Sequence, residues 1–215
     1  MRGCTSVLVI SHIGAWWSHF WEVPSFRTRS FDGKQQHSSW TSVHAAKDHH
    51  GVPMDFRENT LRLLSSNEEY VIQDPHYVFS GLGSYIGKGK PFAPGTDTRV
   101  VIFTPKTWPP MGALLQFPEH VDKIRKLLVE GLDGITINVM TVSYNRRGRD
   151  KYADSTNDGG DPAMYANMNG KFLLKYDPRY REDVASVEVR AEDRSEPVVR
   201  MEWPVADSGA KLDME

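Results

Sequence analysis

The stretch CTSVLVISHIGAWWSHFWEV, residues 4–23, decides how the chain begins to fold. Its first part, Thr5 to Ser11, is a continuous apolar and β-branched run, which predicts a strand buried on both faces. Its second part, Trp16 to Val23, alternates aromatic and polar residues, which predicts a second strand. Because only a short segment containing Gly14 separates the two parts, we expect an antiparallel β-hairpin that ends at Pro24.

The rest of the chain contains both helix-like and strand-like stretches. A helix is predicted from Asp55, as its N-cap, to about Ser66, and another from Glu119 to Leu128, where apolar residues recur at helical spacing. Strands are predicted at 99–104, 134–143, 170–176, 184–190 and 198–203. This order predicts an α/β (α+β) fold: a layered domain with a mixed, largely antiparallel sheet or β-sandwich core, flanking helices, and an N-terminal β-hairpin that carries the site.

The chain is expected to form one domain over residues 1–204, followed by a polar tail at 205–215. Long surface loops are predicted at about 25–53 and 145–162, where polar residues dominate without a clear period. The glycine-rich segment Gly81 to Gly87 lacks a leading strand and a terminal GK[ST], so it predicts a mobile loop rather than a phosphate-binding loop.

The composition excludes several classes of protein. The 215 residues carry a formal net charge of −2 and no basic stripe, so we expect no nucleic-acid partner. No apolar run approaches the roughly 18 residues of a membrane span, so no span is expected. The single cysteine excludes an internal disulfide framework and a multi-cysteine zinc site.

Neither a metal ion nor a cofactor is expected. Adjacent His49 and His50 would point apart in a strand, and the acidic residues at 154, 158 and 161 lack the spacing of an EF-hand loop, so both groups are interpreted as surface loops. The compartment stays unknown. No secretion signal is recognised in these residues, and if the protein is secreted we expect a signal segment to be missing from this chain.

Two residues of the hairpin, Cys4 and His19, carry chemically reactive groups. Directly opposed residues of a hairpin share a face, so an early turn just after Ser11 would oppose Cys4 to His19. Gly14 favours a later turn, which would oppose His19 to Leu8 and separate the two groups by about 13 Å. A β-bulge at Gly14 could reconcile the two registers or turn one of the two residues to the other face, so the sequence leaves the register open.

A thiol beside an imidazole suggests nucleophilic catalysis. A free thiol has a pKa of about 8.5, so little thiolate exists at neutral pH unless a base takes the proton. A neighbouring histidine can take that proton and later protonate a departing amine. Such a pair attacks acyl carbons, including the carboxamide of glutamine, through a thioester. The alternative is structural: Cys4 as a small buried hydrophobe and His19 as a residue packed among aromatic side chains.

The segment Gly3-Cys4-Thr5, the β run that follows and His19 on the next strand resemble the catalytic hairpin of the cytotoxic necrotizing factor-like glutamine deamidases. The resemblance implies that Cys4 is the nucleophile, that His19 is its base and that no cofactor is required. It also implies a toxin or effector whose partner is a protein substrate with an exposed glutamine. A looser resemblance, through HFWEVPSF at 19–26, is to uncharacterised secreted proteins of filamentous fungi.

Two hydroxyl residues beside the cysteine are candidates to orient the pair. Ser6 shares a face with Cys4, whereas Thr5 is adjacent to Cys4 but should point to the opposite face. The predicted function is a Cys-His hydrolase, a protein-glutamine deamidase of toxin or effector type, with transglutamination as a side reaction. The alternative function is a non-catalytic secreted binding module that uses its aromatic and glycine-rich loops.

Overall fold

The computed structural model describes residues 4–20, 56–67, 69–71, 78–107, 114–131, 137–144, 172–192 and 194–205, with the backbone alone at 58, 59, 69–71, 78–80, 131 and 137. The loops predicted at 25–53 and 145–162, and the tail beyond Val205, lie outside these residues. The chain divides into two compact units, Met1–Gly148 and Arg149–Glu215. The single domain expected over 1–204 stays a prediction.

A four-stranded mixed sheet organises the first unit. Its strands are β1 (Thr5–Ile10), β2 (Ala15–Phe20), β5 (Thr98–Pro105) and β6 (Ile137–Tyr144), in the order β2-β1-β5-β6. β1 pairs antiparallel with β2 and with β5, whereas β5 and β6 are parallel. All six residues of β1 are buried, as its unbroken apolar run predicts for a strand covered on both faces.

One face of this sheet, called the core face, forms the hydrophobic core of the unit. The helix α2 (Pro118–Gly131) places Val121, Ile124 and Leu128 in this core, each at most 2% exposed, because these residues recur at helical spacing. The sheet contributes side chains that alternate along its strands. They are Val7, Val9, Trp16, Phe20, Val100 and Ile102.

A second helical segment also contributes to the core. A π-helical turn, Arg57–Leu61, leads directly into a short helix, α1 (Arg62–Ser65), where the sequence predicted one helix to about Ser66. Phe56 and Leu64 are 1% and 3% exposed and belong to the core. The segment is helical, as its sequence predicted, although its first turn is wider than in an α-helix.

The glycine-rich segment is packed against α1 and does not form the open loop that the sequence predicted. Its centre is a 3-10 helix, Leu82–Tyr85, and Leu82 is fully buried. A Cβ atom at Gly81 would overlap the carbonyl oxygen of Ser66, and one at Gly83 would overlap the side chain of Asn67. Glycine is needed at both positions because the two backbones approach too closely for any side chain.

The second unit contains a three-stranded antiparallel sheet. Its strands are β7 (Phe172–Arg181), β8 (Val184–Ala191) and β9 (Val199–Pro204), with β8 in the middle. Alternation along the strands produces one apolar face and one charged face. On the charged face, Glu188 binds Arg190 at 3.0 Å and Arg200 at 2.5 Å, and these hydrogen bonds, with that to Arg200 the strongest, lower the pKa of the carboxyl group.

The predicted fold class is confirmed by the two sheets and the few helices. The predicted helix at 119–128 and the strands at 99–104, 134–143, 170–176, 184–190 and 198–203 are present with shifted ends. One hairpin was not predicted. It consists of β3 (Glu69–Val71) and β4 (Val78–Ser80), and three residues are too few to show a period of two.

Candidate functional site

The hairpin turn between β1 and β2 is closed by Ser11. The Ser11 hydroxyl donates to the carbonyl oxygen of Pro91 at 2.7 Å and accepts the N–H groups of Ile13 and Gly14 at 3.1 and 3.3 Å. The Ser11 N–H also donates to the carbonyl oxygen of Gly14 at 2.9 Å. A serine that binds the following backbone in this way replaces a backbone turn. Gly14 does not adopt a positive φ, so its conformational freedom is not what closes the turn.

This turn opposes His19 to Ser6. The expected registers opposed His19 to Cys4 or to Leu8, and both are wrong. The observed partner, Ser6, lies two positions after Cys4 and two positions before Leu8. The physical reason is the Ser11 hydroxyl, which closes the loop midway between the two turns that the sequence suggested. The predicted antiparallel pairing of the two strands is confirmed.

Cys4 and His19 still share one face of the hairpin, here called the site face. Cys4 lies two positions before Ser6, and Ser6 opposes His19, so all three side chains project from the same side of the sheet. Cys4 and His19 are thus diagonal neighbours, a relation in which Cα atoms lie about 7–8 Å apart and long side chains can meet. A contact of sulfur with the imidazole ring stays a prediction.

The backbone of Cys4 is held by a residue far away in the sequence. The Cys4 N–H donates to the hydroxyl of Tyr144 at 2.8 Å, and that hydroxyl donates to the Cys4 carbonyl oxygen at 2.7 Å. The Tyr144 ring stacks on Phe103, with ring centroids 4.6 Å apart. Because Tyr144 ends β6 and Cys4 precedes β1, this contact joins two strands that are separated by β5. Cys4 itself is only 9% exposed.

His19 differs from Cys4 in its environment. It lies on β2, at the end of the described strand order, and is exposed to solvent as a residue. Neighbouring protein atoms nevertheless remove part of the hydration of its ring, and this desolvation lowers the pKa of His19 below 6.5. This shift favours the neutral imidazole, which is the form that accepts a proton.

The two candidate orienting residues lie on different faces. The Thr5 hydroxyl lies 3.0 Å from the Thr104 hydroxyl, and both residues are buried. This contact joins β1 to β5 on the core face, away from Cys4. Ser6 lies on the site face directly opposite His19, so the structure brings only Ser6 to the pair.

Sequence reasoning did not find Tyr144 or its role. The residue lies one position beyond the strand predicted at 134–143, and 140 positions separate it from Cys4. One signal was present. A tyrosine at the end of an apolar strand needs a hydrogen-bond partner for its hydroxyl once it is buried, and Tyr144 is 6% exposed. That signal does not identify the partner.

A groove in the first unit has a volume of about 230 Å³ but contributes no catalytic group. None of the side chains that line it is titratable. They are Leu64, Ser65, Asn67, Leu82, Gly83, Ile86, Leu127 and Leu128.

No metal site is found in the part of the chain that the structure describes, where no three His, Cys, Asp or Glu side chains are grouped to hold an ion. The histidine pair at 49–50 and the acidic residues at 154–161 lie outside the described ranges. Among the residues that the structure describes, no helix has the length and apolar character to cross a bilayer.

The chain matches no protein-family model, no curated protein and no solved structure. The resemblance of the hairpin to the glutamine deamidases therefore stays a prediction.

Proposed function

We propose that this chain is a Cys-His hydrolase that deamidates an exposed glutamine of a protein substrate, in the manner of a secreted toxin or effector. The observation that carries the proposal is the placement of Cys4 and His19 as diagonal neighbours on one face of the hairpin. Two further features support it: the thiol residue is held through its backbone by Tyr144, and desolvation lowers the pKa of His19, which favours the neutral imidazole.

The reaction proceeds through a thioester. The Cys4 sulfur attacks the carboxamide carbon while His19 accepts the thiol proton. The C–N bond then breaks, and His19 passes its proton to the departing nitrogen, so that ammonia leaves. Water next attacks the thioester carbon and gives a proton to His19. The C–S bond breaks, the sulfur regains the proton, and glutamine plus water has become glutamate plus ammonia. A primary amine in place of water produces a transglutaminated side chain.

The substrate approaches over β2. On the site face, Trp17 is 58% exposed and lies two residues from His19, whereas Cys4 on the inner side is nearly covered. An exposed tryptophan beside a reactive pair suits an apolar contact with a protein surface, because aromatic residues dominate such contacts. This arrangement favours a glutamine that projects from a protein over free glutamine.

The test combines ammonia release with alkylation of the single thiol by iodoacetamide across pH 5–9. Cys4→Ser and His19→Ala should each abolish ammonia release from glutamine-containing proteins, and the double variant should lose no more, because the two residues act as a unit. The parent thiol should react with a midpoint clearly below about 8.5, the value of an ordinary thiol. His12→Ala is the matched control, since His12 is an exposed imidazole in the same hairpin.

Full activity in Cys4→Ser would remove the proposal. So would an alkylation midpoint near 8.5 in the parent protein, because the thiol would then lack an effective base. Loss of activity in His12→Ala would show that His12, and not His19, is the base.

A non-catalytic binding module is the second candidate function, and one feature of the second unit favours it. Tyr176 is 60% exposed and stacks on Trp203, with ring centroids 6.2 Å apart and planes inclined by 13°. Leu174 lies on the same face of β7 and is 38% exposed, which extends the apolar surface. The glycine-rich segment does not support this function, because it is packed against α1.

One comparison of variants separates the two functions. The comparison uses a protein whose glutamine the parent chain deamidates. With that substrate, a deamidase loses ammonia release in Cys4→Ser and keeps it in Tyr176→Ala. A binding module instead loses complex formation with that protein in Tyr176→Ala and keeps it in Cys4→Ser, because exposed aromatic residues carry much of the energy of such contacts.

A further inference from the structure

We infer that Tyr144 is a positioning residue for the thiol: its hydroxyl holds the backbone of Cys4 so that the sulfur stays beside His19. The inference rests on the proposed thiol chemistry and adds the residue that maintains its geometry. The observation behind it is the pair of hydrogen bonds between the Tyr144 hydroxyl and both backbone groups of Cys4, at 2.8 and 2.7 Å.

The sheet does not supply these hydrogen bonds itself. The paired residues of β1 and β5 end at Ser6 and Phe103, and the same register continued by two positions sets Cys4 opposite Pro105. Pro105 has no N–H to donate, and its carbonyl oxygen already accepts the N–H of Gln116 at 2.9 Å. The ladder between β1 and β5 therefore offers no donor to the Cys4 carbonyl oxygen, and the Tyr144 hydroxyl provides that donor while accepting the Cys4 N–H.

The tyrosine is well fixed for this task. Its ring is stacked on Phe103, and the residue is 6% exposed, so the hydroxyl has little freedom to leave Cys4. A tyrosine hydroxyl has one proton to donate and lone pairs that accept. Both capacities are used here on the same residue, which fixes the position of Cys4 along the strand as well as its distance from β6.

The consequence for the thiol follows from its place in the chain. Cys4 precedes the first residue of β1, and the end of a strand frays unless it is tied down. Fraying would let the sulfur move relative to His19, and a displacement of about 1 Å can reduce a catalytic rate roughly a hundredfold. Tyr144 acts through the backbone of Cys4 and does not touch the substrate in this scheme.

Tyr144→Phe tests the role because it keeps the ring on Phe103 and removes only the hydroxyl. The expected result is a fall in kcat of roughly ten- to a hundredfold with little change in KM, and a shift of the iodoacetamide midpoint towards about 8.5. The amide of Cys4 should exchange slowly with solvent in the parent and faster in the variant. The matched control is Thr104→Val, which removes the buried hydroxyl contact with Thr5 on the core face.

Pro105→Ala in the Tyr144→Phe background is the rescue variant. Alanine restores an N–H on β5 opposite Cys4, so the sheet can donate to the carbonyl oxygen that the tyrosine no longer serves. The variant should regain part of the lost kcat, and its iodoacetamide midpoint should move part of the way back to the value of the parent. If the Tyr144→Phe variant does not fold, the parent protein alone still tests the inference. The amide of Cys4 must exchange slowly in the parent, and fast exchange there would overturn the inference.

The remaining outcomes separate this inference from the proposed function. Equal midpoints and equal alkylation rates in the parent and Tyr144→Phe would overturn the positioning role, even if both proteins release ammonia. The same shift in Thr104→Val as in Tyr144→Phe would also overturn it, since general loosening of β1 would then be the cause. A parent without ammonia release and with an ordinary midpoint overturns the proposed function, and the positioning role is then decided by the alkylation rates at a fixed pH.

Discussion

Replacing Ser11 with alanine connects the hairpin turn to the site and tests both. The Ser11 hydroxyl makes three hydrogen bonds, to Pro91, Ile13 and Gly14, and the residue is 3% exposed. A typical hydrogen bond contributes about 1 kcal/mol net, so the loss of all three should lower the free energy of unfolding by about 2–3 kcal/mol. For a chain of this length, that corresponds to a fall in Tm of about 4–12 °C.

The same change should alter the reactivity of the thiol. Without the Ser11 hydroxyl, the turn is free to move towards the later position that Gly14 favours, and His19 would then oppose Leu8. His19 would move one step further from Cys4, so the iodoacetamide midpoint should rise towards about 8.5. A slip by one residue is not expected, because it would move every apolar side chain of the strand to the other face.

The assay is urea unfolding followed by fluorescence, together with alkylation of the folded protein over the same pH range as for the parent. His12→Ala is the control, since His12 is exposed in the turn and its loss should change stability by no more than about 0.5 kcal/mol. If Ser11→Ala unfolds within about 0.5 kcal/mol of the parent at an unchanged m-value, the hydroxyl does not close the turn and the account of the register is wrong.

Two further predictions concern stability. Gly81→Ala should destabilise the first unit by about 1–3 kcal/mol in urea unfolding, because a Cβ there overlaps the carbonyl oxygen of Ser66. The control, Gly14→Ala, meets only ordinary contacts and should lower the free energy of unfolding by less. Equal losses in the two variants would refute the close packing at Gly81. Burial lowers the folded-state pKa of His19 and His120 below 6.5, so as the pH falls through 6.5 the unfolded chain binds protons first. The free energy of unfolding should therefore decrease from pH 7.5 to pH 5.5, less steeply in His120→Asn, and a flat profile would contradict the desolvation of both rings.

Much of the fold could be predicted from the sequence because its signals are local. The unbroken apolar run of β1 predicted a strand covered on both faces, and the spacing of Val121, Ile124 and Leu128 predicted α2. The glycine-rich segment was read incorrectly. Its glycines suggested mobility, but they are there because the 3-10 helix lies against the backbone at Ser66, and such an approach leaves no local pattern.

The sequence by itself determined which residues share the site face. Side chains alternate along a strand, and opposed residues lie on the same side, so both regular registers place Cys4, Ser6 and His19 together, and the pairing of β1 with β2 is regular. Only the tertiary structure decided how near they lie. The register depends on a hydroxyl bound to a carbonyl group 80 positions away, and the anchor of Cys4 is a hydroxyl 140 positions away. A hydrogen bond between distant residues depends on where the rest of the chain folds, and no periodicity near Ser11 or Tyr144 encodes it.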